Sequence, residues 1–564
     1  IAAALLVLAG CGSRSLAEGN QQVRDQLARG DTAAALATVD RLYDGEVAGT
    51  GDSAIYAAPE ADALLWHLER GLIERAAQHL VLSTLHLRAA GGFVDALRAA
   101  SLTQTLAANT VANDTVRDYA GTPYEHLYVD HFAALNELER AQRASGVQPP
   151  LDEAAPDERF TAASVRARRL IGGQFARMRS EADEEERRWF DDPANRVLAA
   201  AVLLALPPHL RDSEGDNVPW TQLRNALAAY RGQARDFGAD PRVRYEVRDI
   251  PAPALRLAAW VGRRYAPDDL AAQLQRHGIA SDDPRLAPPP EGHGFVLALH
   301  HAGYVSATEP LELHLGLGIG AFIHLDLKES ERRRGITVAH GHILGCSAGL
   351  RGPDAAASRD TLTGLALAGE VGRLIAAFNG YGQHLVMRTT LPARLPDAPL
   401  PPAGRLTASG AAATRSEPLA LLADIDGIAR IHAFDEQPRI LRRTLIRALV
   451  KHLAVIAGAE AARAATKESR TGKDKDDGDL LGALAAGAIG LFGSAAINAT
   501  EDADVRHWTT LPDHVSAALI ALPAGRWRLA LDTPEGPLDL GEVVVTADRL
   551  AVVAGRTFPR PPAP

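Results

Sequence analysis

The sequence predicts an α+β multidomain chain. Its front half is a series of stacked α-helical hairpins, and its rear half is mixed α/β and closes on a small antiparallel β-sheet. Three observations lead there. Alanine and leucine dominate while aromatic residues make up only 5% of the chain, a balance that favours helix. Leu64, Leu65, Leu68 and Leu72 typify a front half in which apolar residues recur at helical spacing. After Pro251 the pattern changes to short apolar runs and alternations, separated by proline- and glycine-rich turns. With 564 residues there is material for more than one core, and a net charge of −10 argues against wholesale nucleic-acid binding.

The front half, 17–240, begins with NQQVRDQLARGDTAAALATVDRLYDG, which reads as two helices turned at Gly30-Asp31. Helical spacing continues through 60–90, and Phe93 to Ala107 reads as a further helix. Helices are also expected over 124–144, 161–179, 196–206 and 220–230. Helices of this length with brief turns stack as a TPR-like (tetratricopeptide-like) domain, although no strict repeat signature is present. The run EADEEERR at 181–188 reads as a solvated face.

The mixed α+β domain spans 251–430. Here LRLAAWVGRRY is helical, and GFVLALHHAGYV is a buried strand turning at Ala302-Gly303. LELHLGLGIGAFIHLDL and HLVMRTTLPARL are further strand candidates, and 386–412, broken by prolines, reads as loop and edge strand. Residues 436–500 form a helical hairpin with a mobile linker at 466–479, Pro438 fitting the first turn of its long helix. A small β domain over 503–558 turns at Pro523-Ala524-Gly525 and Pro534-Glu535-Gly536.

The opening IAAALLVLAGCGS carries an apolar run and then Leu8-Ala9-Gly10-Cys11. It resembles a bacterial lipoprotein lipobox at all four positions, with 1–11 the remnant of a signal peptide. Small residues at Ala9 and Gly10 let a peptidase reach the backbone, and the Cys11 thiol is the group that carries the lipid. The resemblance implies a slightly truncated precursor, palmitate among its acyl chains, and a partner in membrane lipid through acylated Cys11. Gly12 in place of Asp after that cysteine points to outer-membrane sorting, facing the periplasm. With Cys11 lipidated, Cys346 stands alone and no internal disulfide forms.

Residues 113–141, NDTVRDYAGTPYEHLYVDHFAALNELERA, resemble the central motif of a family of uncharacterised Gram-negative lipoproteins with a TPR-like N-terminal region. The matching steps are Asn113-Asp114, Tyr119-x-Gly121, Tyr124-Glu125 and Ala134-Leu135-Asn136. The match extends to VRARR at 165–169, resumes at 437–454 and ends with 503–525, where Asp504, Arg506 and Trp508 stand. Where the family has a Gly-x-x-Pro-x-Lys step, this chain has GYVSATEP, without the lysine. The resemblance implies an envelope role beside peptidoglycan-related proteins, by association and not by mechanism.

Residue chemistry gives its own readings. Tyr119, Tyr124 and Tyr128 with Glu125 either lock helix starts, the favoured reading, or rim a partner-binding groove. Asp504 and Arg506 are expected to pair and Trp508 to seal a seam between domains; a ligand ledge is the alternative. Arg442, Arg443, Arg447 and Lys451 form the basic face of an amphipathic helix. That face meets the chain's own carboxylates or, as a partner-binding candidate, anionic lipid, glycan or protein. The uncharged run 480–499, with Gly487, Gly490 and Gly493, reads as a buried helix with membrane contact as the alternative.

Gly345-Cys346-Ser347-Ala348-Gly349 spells G-x-S-x-G, but Pro353 interrupts the helix that should follow, so catalysis by Ser347 ranks low. The histidines (His300, His301, His324, His340, His342) lack a ligand spacing, so no metal site and no cofactor are expected. The sequence-based expectation is an outer-membrane-anchored periplasmic scaffold or recruitment module, not an enzyme, for envelope proteins or peptidoglycan-associated partners. Its rivals are an envelope serine hydrolase using Ser347 and a membrane or secretion accessory acting through 480–499.

Overall fold

Turn chemistry and helix caps divide the front half as the sequence suggests. The computed structural model describes residues 12–48, 55–58, 62–101, 119–146, 156–180, 191–211, 217–237, 249–318, 322–327, 385–394, 404–411, 413–433, 436, 440 and 504–559. The front helices are Gly12–Ala28 (α1), Thr32–Tyr43 (α2), Ala63–Ala76 (α3), Leu80–Ser101 (α4), Pro123–Ala144 (α5), Pro156–Ser180 (α6), Pro193–Ala205 (α7) and Asn217–Phe237 (α8). Each packs on its neighbour in sequence. Between α1 and α2, Gly30 takes the left-handed φ of 77° that glycine adopts freely, and Asp31 caps α2 through Ala34 N–H at 3.0 Å. Thr122 and Glu125 form a capping box at the start of α5, with Pro123 in its first turn. A hairpin of Glu46–Ala48 (β1) and Ile55–Ala57 (β2) joins α2 to α3.

One expected break is absent. The sequence suggests a new helix at Phe93, yet α4 runs unbroken through Gly91-Gly92. A Cβ on Gly91 would stand 3.4 Å from Arg169 Nη2 and 3.9 Å from a Val129 methyl, so these side chains of α6 and α5 come close at that point. Tertiary packing overrides the helix-weakening effect of the glycines.

The rear half adds helices Ala252–Tyr265 (α9), Pro267–Arg276 (α10) and 425–433 (α11). Its strands are His293–Ala302 (β3), Thr308–Gly318 (β4), Phe322–Leu327 (β5), Leu385–Arg394 (β6), Arg405–Ser409 (β7), Thr414–Pro418 (β8), Ala420–Asp424 (β9), His514–Pro523 (β10), Gly525–Thr533 (β11), Gly536–Val545 (β12) and Leu550–Thr557 (β13). They form a mixed sheet in the order β13-β3-β10-β9, an antiparallel sheet in the order β12-β11-β7-β8, and a three-stranded sheet β5-β4-β6. The chain is therefore α+β in coarse outline, with a helix-rich front and a mixed α/β rear. The turns at Ala302-Gly303, 523–525 and 534–536 fall where expected.

Two strands depart from expectation. β7 lies inside its sheet, between β11 and β8, and not at an edge, because Leu406 and Ala408 face the core. The closing strands also divide between two sheets: β11 and β12 join β7 and β8, whereas β13 crosses back to pair parallel with β3.

The mixed sheet is buried on both faces, which explains the nearly continuous apolar run of β3. Alternation sends Phe295, Leu297 and Leu299 with Val515, Ala517 and Leu519 toward the helices. Val296, Ala298, Ala518, Ile520 and Leu522 point the other way and meet Leu406, Leu529, Leu531 and Val543 of the antiparallel sheet. Three layers result: helices, mixed sheet, antiparallel sheet. The first core is continuous from Val23 to Val552, crossing the ranges 17–240 and 251–430 without a gap. Within it α7 is buried at every position from Pro193 to Leu204 and touches α5, α6, α8, β9 and β13.

Candidate functional site

Seven of the residues singled out from sequence, Tyr119, Tyr124, Glu125, Tyr128, Asp504, Arg506 and Trp508, meet in one seam. Tyr119, Tyr124, Glu125 and Tyr128 are 7%, 2%, 1% and 0% exposed, and Trp508 is 0% exposed. Glu125 accepts from the Thr122 amide at 2.7 Å and from the Tyr119 hydroxyl at 2.6 Å. Its second oxygen accepts from the Trp508 amide, 383 residues away, at 3.0 Å. Glu69 of α3 continues the ladder by accepting from the Thr509 and Thr510 amides. Burial pushes the Glu69 carboxyl up to about 7, against the pull of those donors. Arg506 pairs with Asp504 at 2.7 Å, as the sequence suggests, and also with Asp62. Asp62 in turn accepts from the Tyr119 amide at 3.1 Å. Trp508 packs against Phe132, with ring centroids 6.3 Å apart, and Tyr124 meets His432 of α11 edge-on.

These side chains are buried within the fold, Tyr119 and Glu125 against the 504–508 segment, Tyr124 against His432 and Tyr128 against Asp192. Gly121 adopts φ 71°, turning the chain into α5. Asn113, Asp114, Cys11, Ser347, Arg442, Arg443, Arg447, Lys451 and the run 480–499 lie outside the described residues, as do Cys346, His340 and His342.

A polar chain leads from this seam to the sheet. The Tyr128 hydroxyl donates to Asp192, the cap of α7, at 2.9 Å. Asn195 donates to the same carboxylate at 3.1 Å, which turns its Oδ1 toward His131 Nδ1 at 2.7 Å. Burial pulls the His131 imidazole down to about 3, so it is neutral. Its Nδ1–H donates to Asn195 and its Nε2 accepts from His301 Nε2 of β3, 3.0 Å away. Among the described residues no group of His, Cys, Asp and Glu could hold a metal ion. None of the described helices is long and apolar enough to cross a membrane.

His301 opens onto a cleft of about 460 Å³ where α3 and α5 meet β12 and β13. Leu72, Phe132, Leu538, Leu540 and Phe558 supply its apolar wall, and Arg75, Arg143 and Arg556 its cations. Glu139 bridges Arg75 at 3.2 Å and Arg143 at 2.7 Å. Arg75 is also held by Asn136, whose amide donates to Ser83 Oγ at 2.8 Å. A residue of the sequence motif thus orients a cation of the cleft.

Arg556 differs from the other two. Its Nη2 donates to the carbonyls of Thr510 and Gly303, and no carboxylate lies within ion-pair distance among the described residues; its Nε, like that of Arg143, has no hydrogen-bond partner. Burial pulls its guanidinium down to about 10, still charged at neutral pH. The ring of Phe558 lies 4.8 Å from its guanidinium carbon.

This arrangement can hold an anion attached to an apolar body. Sequence reasoning missed Arg75, Arg143 and Arg556 because each is a single arginine on a separate element. The only signal was an arginine closing the apolar strand LAVVAGRT. Comparison with protein-family models, curated proteins and solved structures finds no match to this chain.

Proposed function

We propose that this protein is a recruitment module of the bacterial cell envelope, a lipoprotein of the TPR-like family that its 113–141 and 503–525 blocks resemble. In this reading Cys11 carries the acyl chains, the mature chain sits on the periplasmic face of the outer membrane, and its helices act as a TPR-like scaffold. It binds and does not transform: the partner is an envelope protein or a peptidoglycan-associated one, docked through an anionic group.

The observation that carries the binding role is the cleft, where three arginines and an apolar wall converge from four elements. Two carboxylates line the same cleft, and one of them, Asp539, is already engaged by Arg528 at 2.5 Å. The surplus of positive charge beside apolar surface favours an amphipathic anion. The lipobox-like LAGC string supports the anchor.

The test is photocrosslinking in native envelopes from a reactive residue placed at Leu538, with Cys11→Ser as the unanchored control. The reading predicts a discrete protein or glycan adduct that disappears in the control. Failure to recover an adduct, or a full-length product that never takes up labelled palmitate, contradicts it.

A further inference from the structure

The geometry points to the occupant of this cleft: the extended C-terminal tail of a partner protein, apolar at its last residues and ending in a free carboxylate. This rests on the recruitment reading and specifies its ligand.

The first support is charge. Among the titratable groups lining the cleft, Arg75 and Arg143 share Glu139, Asp539 is held by Arg528, and Arg556 faces carbonyls alone. One guanidinium, that of Arg556, has no carboxylate partner among the described residues, and an incoming carboxylate would supply the counter-charge it lacks.

The second support is the strand edge. β13 ends its sheet, so among the described residues no strand pairs with the side away from β3. The Phe295 amide donates to the Arg549 carbonyl, so odd-numbered residues of β13 turn their backbone groups toward β3 and even-numbered ones away. Gln142 of α5 covers this free edge at Val552, its side-chain amide accepting from the Val552 amide at 3.0 Å and donating to its carbonyl at 2.6 Å. One amide side chain there does the work of a neighbouring strand. The next two residues of the same parity, Ala554 and Arg556, both line the cleft. Their backbone groups offer a short peptide the hydrogen bonds of an added strand, beside the arginines that would take its terminus. The apolar side chains of Leu72, Phe132 and Leu538 lie where its last residues would settle.

A cleft of this volume takes only the terminal residues of such a tail.

Fluorescence anisotropy on the full chain tests this with a pool of fluorescein-labelled decapeptides ending in leucine, valine or phenylalanine. The free-acid pool is expected to bind, with the same pool as C-terminal amides at least about tenfold weaker. N-methylation of alternate peptide amides is expected to weaken binding in one register and not in the other, as strand addition requires. Equal binding of acids and amides, or no binding of either, overturns the proposal. So does displacement of the peptides by decanoate or inorganic phosphate at equal concentration, which would make the site one for a simple anion. Peptide binding can fail while envelope crosslinking succeeds, so loss of this inference is distinguishable from loss of the recruitment reading.

Discussion

The seam and the cleft lie side by side and are built from the same kinds of residue, yet they end differently. In the seam every carboxylate is answered by the chain. Glu125 meets two amides and a hydroxyl, Glu69 meets two amides, and Asp62 and Asp504 share Arg506. In the cleft, Glu139 answers Arg75 and Arg143, whereas Arg556 meets two carbonyls and no carboxylate among the described residues. The difference is one of charge: the seam's carboxylates have donors within the chain, while the cleft gathers three guanidinium groups against Glu139 and Asp539, which is why the proposed ligand is placed there. The two are linked through Thr510: its amide binds Glu69 and its carbonyl accepts from Arg556.

That contrast can be broken most severely at Trp508. Trp508→Ala removes a fully buried side chain between the helices and the 504–511 segment, and it is expected to cost about 3–5 kcal/mol, read as a fall in the urea midpoint. Glu125→Ala comes next. It leaves the Tyr119 hydroxyl and the Thr122 and Trp508 amides unanswered, an expected loss of about 2–3 kcal/mol by the same measurement.

The neutral histidines give a pH signature. Burial holds His67 near 4, His131 near 3 and His86 near 2, against 6.5 for a free imidazole. Each is neutral in the fold, while the unfolded chain takes up its proton near 6.5. Their contribution is therefore fully present above that pH and is lost as pH falls toward the folded values. Urea midpoints recorded at stepwise lower pH should decline, and His131→Gln should flatten the decline. The smallest effect is expected at Arg528→Ala, an exposed pair with Asp539, which should leave the urea midpoint unchanged.

Much of the fold was legible because its signals are local. Gly30-Asp31 marks a helix turn, the unbroken apolar run of β3 marks two-sided burial, and Pro523-Ala524-Gly525 marks a hairpin. The Asp504–Arg506 pair, two residues apart, and the sealing role of Trp508 were legible for the same reason. Pairing between distant segments was not. Nothing in LAVVAGRT says that it lies parallel to β3, some 250 residues earlier, and β7 reads as an edge until Leu406 and Ala408 are seen to face the second core. Gly91-Gly92 reads as a break until Arg169 and Val129 close on it. The cleft was invisible because its three arginines come from α3, α5 and β13, and only the fold brings them together.

The claim that the cleft awaits a ligand while the seam does not is tested most directly by Arg556→Met, measured twice on the same preparation. The account predicts a fall in the urea midpoint clearly smaller than that of Trp508→Ala, together with a loss of at least about tenfold in affinity for the free-acid peptides. A variant that unfolds like Trp508→Ala, or that binds the acid peptides as the wild type does, would show that Arg556 serves the fold and not a ligand.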